Sequence, residues 1–249
     1  KAVYEIQPGV YREAKSSFYA DSLSLEGFGD TLTHLVRIFS VGRNEKLSDP
    51  ITIDVVPLTP PVKSVFKTLA VKPTFGGLNV SFTNDLQADL AAVIIVDTIG
   101  DKSIWAEAST FYTDALRANY SSRGFESIEQ NFGVYLRDRW SNKSDTMFVT
   151  LTPLYEELLD FNNMKALALP TDAPVLSPYV LSNIIDGTTG NANNIYASMH
   201  DTPLPEWFTL DLGSRDGNKS ILSRLKMFHR PAQYAYNQAV PLKFEIWGS

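Results

Sequence analysis

The feature that most constrains this chain is that it repeats itself. EAKSSFYAD at 13–21 matches EASTFYTD at 107–114 after a one-residue gap, which sets Phe18 against Phe111 and Tyr19 against Tyr112, 93 residues apart. Gly27 and Phe28 match Gly124 and Phe125. RNEKLSDPITIDVVPL at 43–58 then matches RWSNKSDTMFVTLTPL at 139–154, an offset of 96. In that stretch Arg43 falls on Arg139, Ser48 and Asp49 on Ser144 and Asp145, and Pro57 and Leu58 on Pro153 and Leu154. A period of this length is one sandwich-sized domain, far longer than a solenoid unit.

Inside each copy the apolar spacing is two, the period of a half-buried strand. VSFTN at 80–84, FGVYLRDR at 132–139 and TMFVTLT at 146–152 alternate, and LAAVIIV at 90–96 reads as a strand buried on both faces. Gly, Asn, Asp and Pro interrupt these runs every ~8–12 residues, the punctuation of an all-β sandwich. The second copy has two further expected strands, about 63–73 and 78–84, with no counterpart ahead of Lys1. The first copy is therefore expected to lack its opening strands, either because the chain was cut there or because something else supplies that edge. LYEELLDFNNMKAL at 154–167 breaks the alternation and reads as a short helical turn with its acids early, ahead of Pro170 and Pro174. Beyond about 175 the composition shifts to Asn, Thr, Gly and aromatics, with expected strands at 207–213, 221–230 and 242–249. The domains read as 1–60 (first repeat, incomplete), 61–154 (second repeat), 155–174 (linker) and 175–249 (a third, different unit, itself cut short).

Composition narrows the chemistry. With 44% hydrophobic residues in 249 the chain can fill several cores, and with a net charge of −6 and no basic block it has no electrostatic source of attraction to nucleic acid or anionic lipid. No apolar run reaches the roughly 18–20 residues of a membrane helix. The chain begins with Lys1 and carries no basic-then-apolar leader, so any targeting segment is expected to have been removed or to lie outside it. Zero cysteines exclude disulfides, thiolate metal sites and a cysteine nucleophile. The three histidines, His34, His200 and His229, form no HExxH-type pair, and glycine-rich phosphate loops are absent.

The third unit carries a resemblance. NIIDGTTGNANNIYASMHDTPLPEWFTLDLG at 183–213, LSRLKMFHR at 222–230 and PLKFEIWGS at 241–249 resemble the first half of discoidin-type domains (coagulation factor V/VIII type C, galactose-binding-like). The two repeats look like fibronectin type III domains. Together the order resembles surface lipoproteins encoded in Bacteroidetes glycan-utilisation loci. The resemblance implies an all-β chain, tandem immunoglobulin or fibronectin III-like sandwiches followed by a partial discoidin-like jelly roll. It further implies an exported or lipid-anchored protein at the outer membrane surface, or an extracellular one, whose last domain binds glycan.

Glycan sites pair aromatic rings with planar Asn, Asp, His and Arg groups that hydrogen-bond hydroxyls. The third unit holds that mixture in two loops: Asn191, Asn193, Asn194, Tyr196, His200 and Asp201 in one, His229, Arg230, Gln233, Tyr234, Tyr236 and Asn237 in the other. Asn194, Tyr196, His200, Asp201, Arg230, Tyr234 and Tyr236 are the candidate ligand-binding residues, against the plain alternative of polar loop residues packing their own turns. The resemblance also makes Asp186, followed by Gly187, a candidate calcium ligand, against a plain Asp-Gly turn. Trp207 and Trp247 alternate with apolar neighbours and read as core. Arg137 or Arg139 is placed to stack on Trp140.

Paired catalytic carboxylates need a cleft that nothing here marks, and no GxSxG elbow supports a serine nucleophile. The expectation is a non-enzymatic binder of an oligo- or polysaccharide, working beside other outer-membrane glycan-uptake proteins, with no nucleic acid and no transmembrane segment. The rivals are a structural or adhesion module making protein contacts and an accessory domain of a glycan-degrading system.

Overall fold

The computed structural model describes residues 1–20, 22–213, 221–235, 241 and 243–248, and its regular elements are almost all antiparallel strands. The chain is all-β and divides into two units, Lys1–Glu156 and Glu157–Ser249.

The first unit holds both repeats. Strands β1 (Ala2–Gln7), β2 (Val10–Ala14), β3 (His34–Ile38) and β4 (Ile51–Val55) form one sheet in the order β2-β1-β3-β4. After a helical turn α1 (Pro61–Phe66) come β5 (Ala70–Thr74), β6 (Gly77–Thr83), β7 (Leu90–Asp97), β8 (Trp105–Thr113), β9 (Arg117–Arg123), β10 (Gln130–Asp138) and β11 (Met147–Leu151). They make a three-stranded sheet, β5-β6-β9, and a four-stranded one, β11-β10-β7-β8. The two sheets close on a core that includes Leu78, Val80, Ala92, Ile94, Phe132 and Val134, the inward positions of their strands.

The repeat is structural. His34 pairs with Val55 and Gln130 with Leu151, the same register 96 residues on. The matched Ser-Asp pairs make the same turn: the Ser48 hydroxyl donates to the Asp49 carbonyl (2.9 Å) and accepts from the Ser40 amide (3.0 Å), as Ser144 does with Asp145 (2.7 Å) and Leu136 (2.8 Å). Glu45 and Ser141 occupy the same left-handed position, at φ 60° and 67°. Matched Gly27 and Gly124 lie at φ 97° and 104°, and Phe28 and Phe125 each turn into their own core. The likeness breaks between Ala14 and Gly27: Phe18 and Tyr19 lie outside any strand and are exposed, whereas Phe111 sits in β8 and stacks on Tyr120 at 4.3 Å.

The turn after β10 ties the repeats together. Trp140 packs on the first sheet's core of Ala2, Tyr4, Ile6, Phe28 and Val36. Asn142 is buried, and its Nδ2 donates to the Gly27 carbonyl (3.0 Å) and to Asp138 Oδ2 (2.9 Å) while its Oδ1 accepts from Gln7 Nε2 (2.9 Å). The fit needs glycine opposite: a Cβ on Gly27 would stand 3.1 Å from Trp140, and one on Gly29 2.5 Å from Asn142 Oδ1. The first sheet's apolar face is covered at its centre by this tryptophan and by Leu23, Leu25 and Phe28, while Ile38, Ile51 and Ile53 at its far side stay exposed.

Two expectations need correction. The strand expected from about 63 begins only at Ala70, because Pro60 and Pro61 start a helical turn that sinks Val62 and Val65, three residues apart, into the core. In the second unit, of the strands expected at 207–213, 221–230 and 242–249, only β13 (Thr209–Asp211) forms among the described residues. It pairs with β12 (Lys165–Leu167), which lies inside the stretch expected as linker and follows a 3-10 turn, Phe161–Asn163, capped by Asp160. The described residues of 221–230 and 243–248 take no strand conformation, and Ile221, Leu222, Leu225, Met227, Phe228, Phe244 and Ile246 are exposed, since alternation alone does not order a strand. Trp207 and Trp247 are accordingly exposed, at 44% and 73%, rather than core.

Candidate functional site

The two loops singled out in the third unit meet. The segment 174–179 runs beside 197–199, with the Leu176 amide donating to the Ala197 carbonyl (2.9 Å), the Ala197 amide to the Tyr179 carbonyl (3.1 Å) and the Met199 amide to the Pro174 carbonyl (2.8 Å). That frame carries the first loop. Asn183 Nδ2 donates to the Ile195 carbonyl at 2.9 Å and fixes its far end, and Asn191 Oδ1 accepts the Asn193 amide at 2.9 Å and turns its tip.

The second loop contributes Arg230. Its Nε–H donates to the Ala192 carbonyl at 2.7 Å, and its guanidinium lies 3.7 Å from the centre of the Tyr234 ring and 5.6 Å from that of Tyr179. A planar cation bonded to one loop and stacked on a ring of the other joins them, with the ring's quadrupole and the carbonyl dipole both favouring its charge. Tyr179 was not foreseen: it follows Pro178 in an irregular segment, and no periodicity marks it. Tyr234 ends a 3-10 turn, Ala232–Tyr234, and is half-buried.

Asn194 stands beside this joint, donating from Nδ2 to Asp186 Oδ2 at 2.8 Å. Asp186 Oδ1 accepts the Thr188 amide at 2.8 Å. The Asn194 amide and the Thr188 amide hold the Asp186 carboxyl below its ordinary pKa, so it is an ionised acceptor already facing donors on both oxygens. Among the described residues no group of three or more His, Cys, Asp or Glu side chains is placed to hold a metal ion. Asp186 stands in an Asp-Gly turn, with Gly187 at φ 77°.

Other candidates stand apart from the Arg230 stack. Tyr196 leans on Phe208, ring centres 5.3 Å apart; burial, then the charges of Glu206 and Asp172, pushes its phenol pKa up and keeps it a neutral donor. His200 and Asp201 lie on an exposed turn where Asp201 takes φ 62° and Thr202 Oγ1 donates to the Met199 carbonyl at 2.8 Å. His229 contacts the Arg230 carbonyl through Nδ1 at 3.2 Å. Tyr236 and Asn237 lie outside the described residues. In the first unit the expected stacking on Trp140 is made by Arg139, 4.2 Å from the ring centre, while Arg137 reaches the Tyr112 hydroxyl at 3.5 Å.

Three family models match successive stretches of the chain, and each is described as a domain of unknown function: DUF4959 over 1–57, DUF5126 over 58–162 and DUF5000 over 185–249. Among curated proteins nothing matches. Among solved structures the chain is similar to a SusE-like protein at 28% identity and a TM-score of 0.37, over 62% of this chain. It spans 56% of that protein's chain. No helix among the described residues is long and apolar enough to cross a membrane.

Proposed function

We propose that this chain is a non-catalytic carbohydrate-binding protein of the bacterial cell surface, whose third unit contacts an oligo- or polysaccharide through the loops around Arg230. The observation that carries this reading is the junction itself. Two tyrosine rings, one guanidinium, an asparagine and a carboxylate are gathered where the two loops meet the segment that runs from Pro174 to Gly187. Rings present flat apolar faces to the C–H side of a sugar, and the planar polar groups match its hydroxyls. Such shallow sites bind at about micromolar to millimolar strength and depend on multivalent display. His200 and Asp201, on their exposed turn, would extend the contact toward neighbouring sugars.

The finer assignments belong to the same reading. The order β8-β7-β10-β11 facing β5-β6-β9 supports a fibronectin type III-like repeat for 61–154, and β2-β1-β3-β4, which corresponds to its four-stranded sheet, a partial one for 1–60, the two acting as a stalk. The third unit, 175–249, is proposed as discoidin-type on its sequence motifs. Glycan-uptake proteins of the outer membrane are the proposed neighbours.

The test is glycan-array binding by the chain, with and without EDTA, repeated with Tyr234→Ala and His200→Ala. The expected result is a defined glycan hit, insensitive to EDTA, that both substitutions weaken while the thermal melt of His200→Ala, on its exposed turn, hardly moves. Undiminished binding by both variants would refute the site. Silence from folded protein across plant, host and microbial glycans would favour the adhesion reading, for which the exposed Ile38, Ile51 and Ile53 offer an apolar surface.

A further inference from the structure

The first unit carries a groove of its own at the joint between the repeats. Two adjoining hollows, of about 460 and 640 Å3, meet at a shared wall made by Arg139 and Ser141. Each is in the size range of ordinary ligand sites, about 300–1,000 Å3, and both are open to solvent. The first is lined by Tyr11, Arg12 and Glu13 of β2 and by Trp140. The second is lined by Asp89, Tyr112, Asp114 and Arg137 around the β7–β8 edge.

The lining selects a class of ligand. Tyr11 and Tyr112 are 59% and 74% exposed, so an aromatic ring stands in each hollow with most of its surface still in water. Between them lie planar ionic groups already fixed in position. Arg139 stacks on Trp140 and pairs with Glu26 (2.9 Å) and Asp89 (3.6 Å), and the Arg12 guanidinium lies 5.9 Å from the Trp140 ring centre. Nucleic acid is disfavoured, because its phosphates would face Asp89, Asp114 and Asp138 in a chain of net charge −6. An apolar ligand is disfavoured too, since it would strip water from these charges. Separated rings with guanidinium and carboxylate groups between them suit a chain of sugars, ring stacking at intervals and hydroxyls bonded in between.

The groove is also built stiff. Its halves come from different repeats, and Asn142, bonded to Gly27 and Gln7 directly behind the shared wall, holds them in register. The two halves of the groove are therefore aligned before a ligand arrives.

We infer that this groove is a second glycan-binding site, separate from the loops around Arg230, and that it takes an internal stretch of a polysaccharide rather than a chain end. The inference rests on the reading of the protein as a glycan binder. It is tested by electrophoresis of the 249-residue chain through gels containing amylopectin, xylan, polygalacturonate, chondroitin sulfate or yeast mannan. Wild type is compared with the double variant Arg12→Ala/Tyr112→Ala and with Tyr234→Ala. Both groove side chains are exposed, so the double variant keeps the wild-type melt. The expected result is retardation by at least one polymer that weakens at least tenfold in the groove variant and persists in Tyr234→Ala. Retardation lost in Tyr234→Ala but intact in the groove variant overturns the groove and leaves the glycan reading standing. Absence of retardation of folded wild type in every polymer overturns both.

Discussion

Replacing Asn142 by alanine should loosen the first repeat from the second. The side chain is 5% exposed and makes two bonds across the joint, to the Gly27 carbonyl and from Gln7 Nε2, besides its bond to Asp138. Each such bond contributes about 0.5–1.5 kcal/mol net, and the buried Gly27 carbonyl, left without this donor, adds part of a desolvation cost of about 1–3 kcal/mol. Gln7 loses less, because its Nε2 keeps the Trp140 carbonyl at 3.2 Å. The sum is a loss of about 2–4 kcal/mol. For a chain of this size that lowers Tm by roughly 4–16 °C. The repeat supplies its own control: Lys46 stands at the matching turn position of the first copy and is exposed, so Lys46→Ala should cost under about 0.5 kcal/mol. Thermal melts of the full chain, with hydrogen exchange on the β1–β4 amides, would read both. Equal melts for the two variants, or loss of protection confined to the third unit, would refute the reasoning.

Two further outcomes follow from the second sandwich. Gly77→Ala would drive a Cβ onto the backbone carbonyl of Ser122 in the neighbouring strand and should cost about 3 kcal/mol or more, whereas Gly133→Ala meets only the side chains of Ile95 and Phe148 and should cost about 1–3 kcal/mol; urea titration ranks them, and the reverse order would contradict the packing. The Asp97 carboxyl feels burial as the largest influence, which raises its pKa, yet the bonds from Asn131 and from the amides of Lys102, Ile99 and Gly100 together hold it below the ordinary value. Its stabilisation of the 97–104 loop is therefore complete above the usual carboxylate pKa of about 3.9 and fades as pH falls through the depressed one. Hydrogen exchange at Ile99, Gly100 and Lys102 should keep its protection to about pH 4 and lose it below; loss already near pH 6 would disprove the assignment.

What was legible in the residues was whatever repeats or alternates locally. Ser48-Asp49 and Ser144-Asp145 match as letters because each serine closes the same turn through its own hydroxyl, a bond whose partners lie within eight residues. Gly27 and Gly124 match because both copies need a left-handed residue before the core phenylalanine. The joint was only half visible. The Arg139–Trp140 stack is between neighbours in sequence, but the partners of Asn142 lie 115 and 135 residues away, and no local pattern announces them. The helical turn at Pro61–Phe66 was hidden because Val62 and Val65 sit in a run that also suits a strand. In the third unit, alternation at 221–230 and 243–248 signalled strands that do not form among the described residues, because alternation marks a face and does not by itself order a strand. The two loops were marked by their residue types, but what joins them, Arg230 bonded to Ala192 and set 5.6 Å from the Tyr179 ring centre, depends on tertiary contacts alone.

The turn closed by Ser48 in one copy and Ser144 in the other behaves as an interchangeable part. Its base is the same device in both, with bridges Val41↔Leu47 and Arg137↔Lys143 and a left-handed residue at its tip. The tip residues are free to differ because the base does not depend on them. In one copy they read Asn44, Glu45 and Lys46 and end in solvent; in the other they read Trp140, Ser141 and Asn142 and reach into a neighbour. Two turns of the same shape thus serve different ends: one closes on itself, and the other, given Gly27, Gly29 and Gln7 opposite, becomes a joint without any change to the base that presents it.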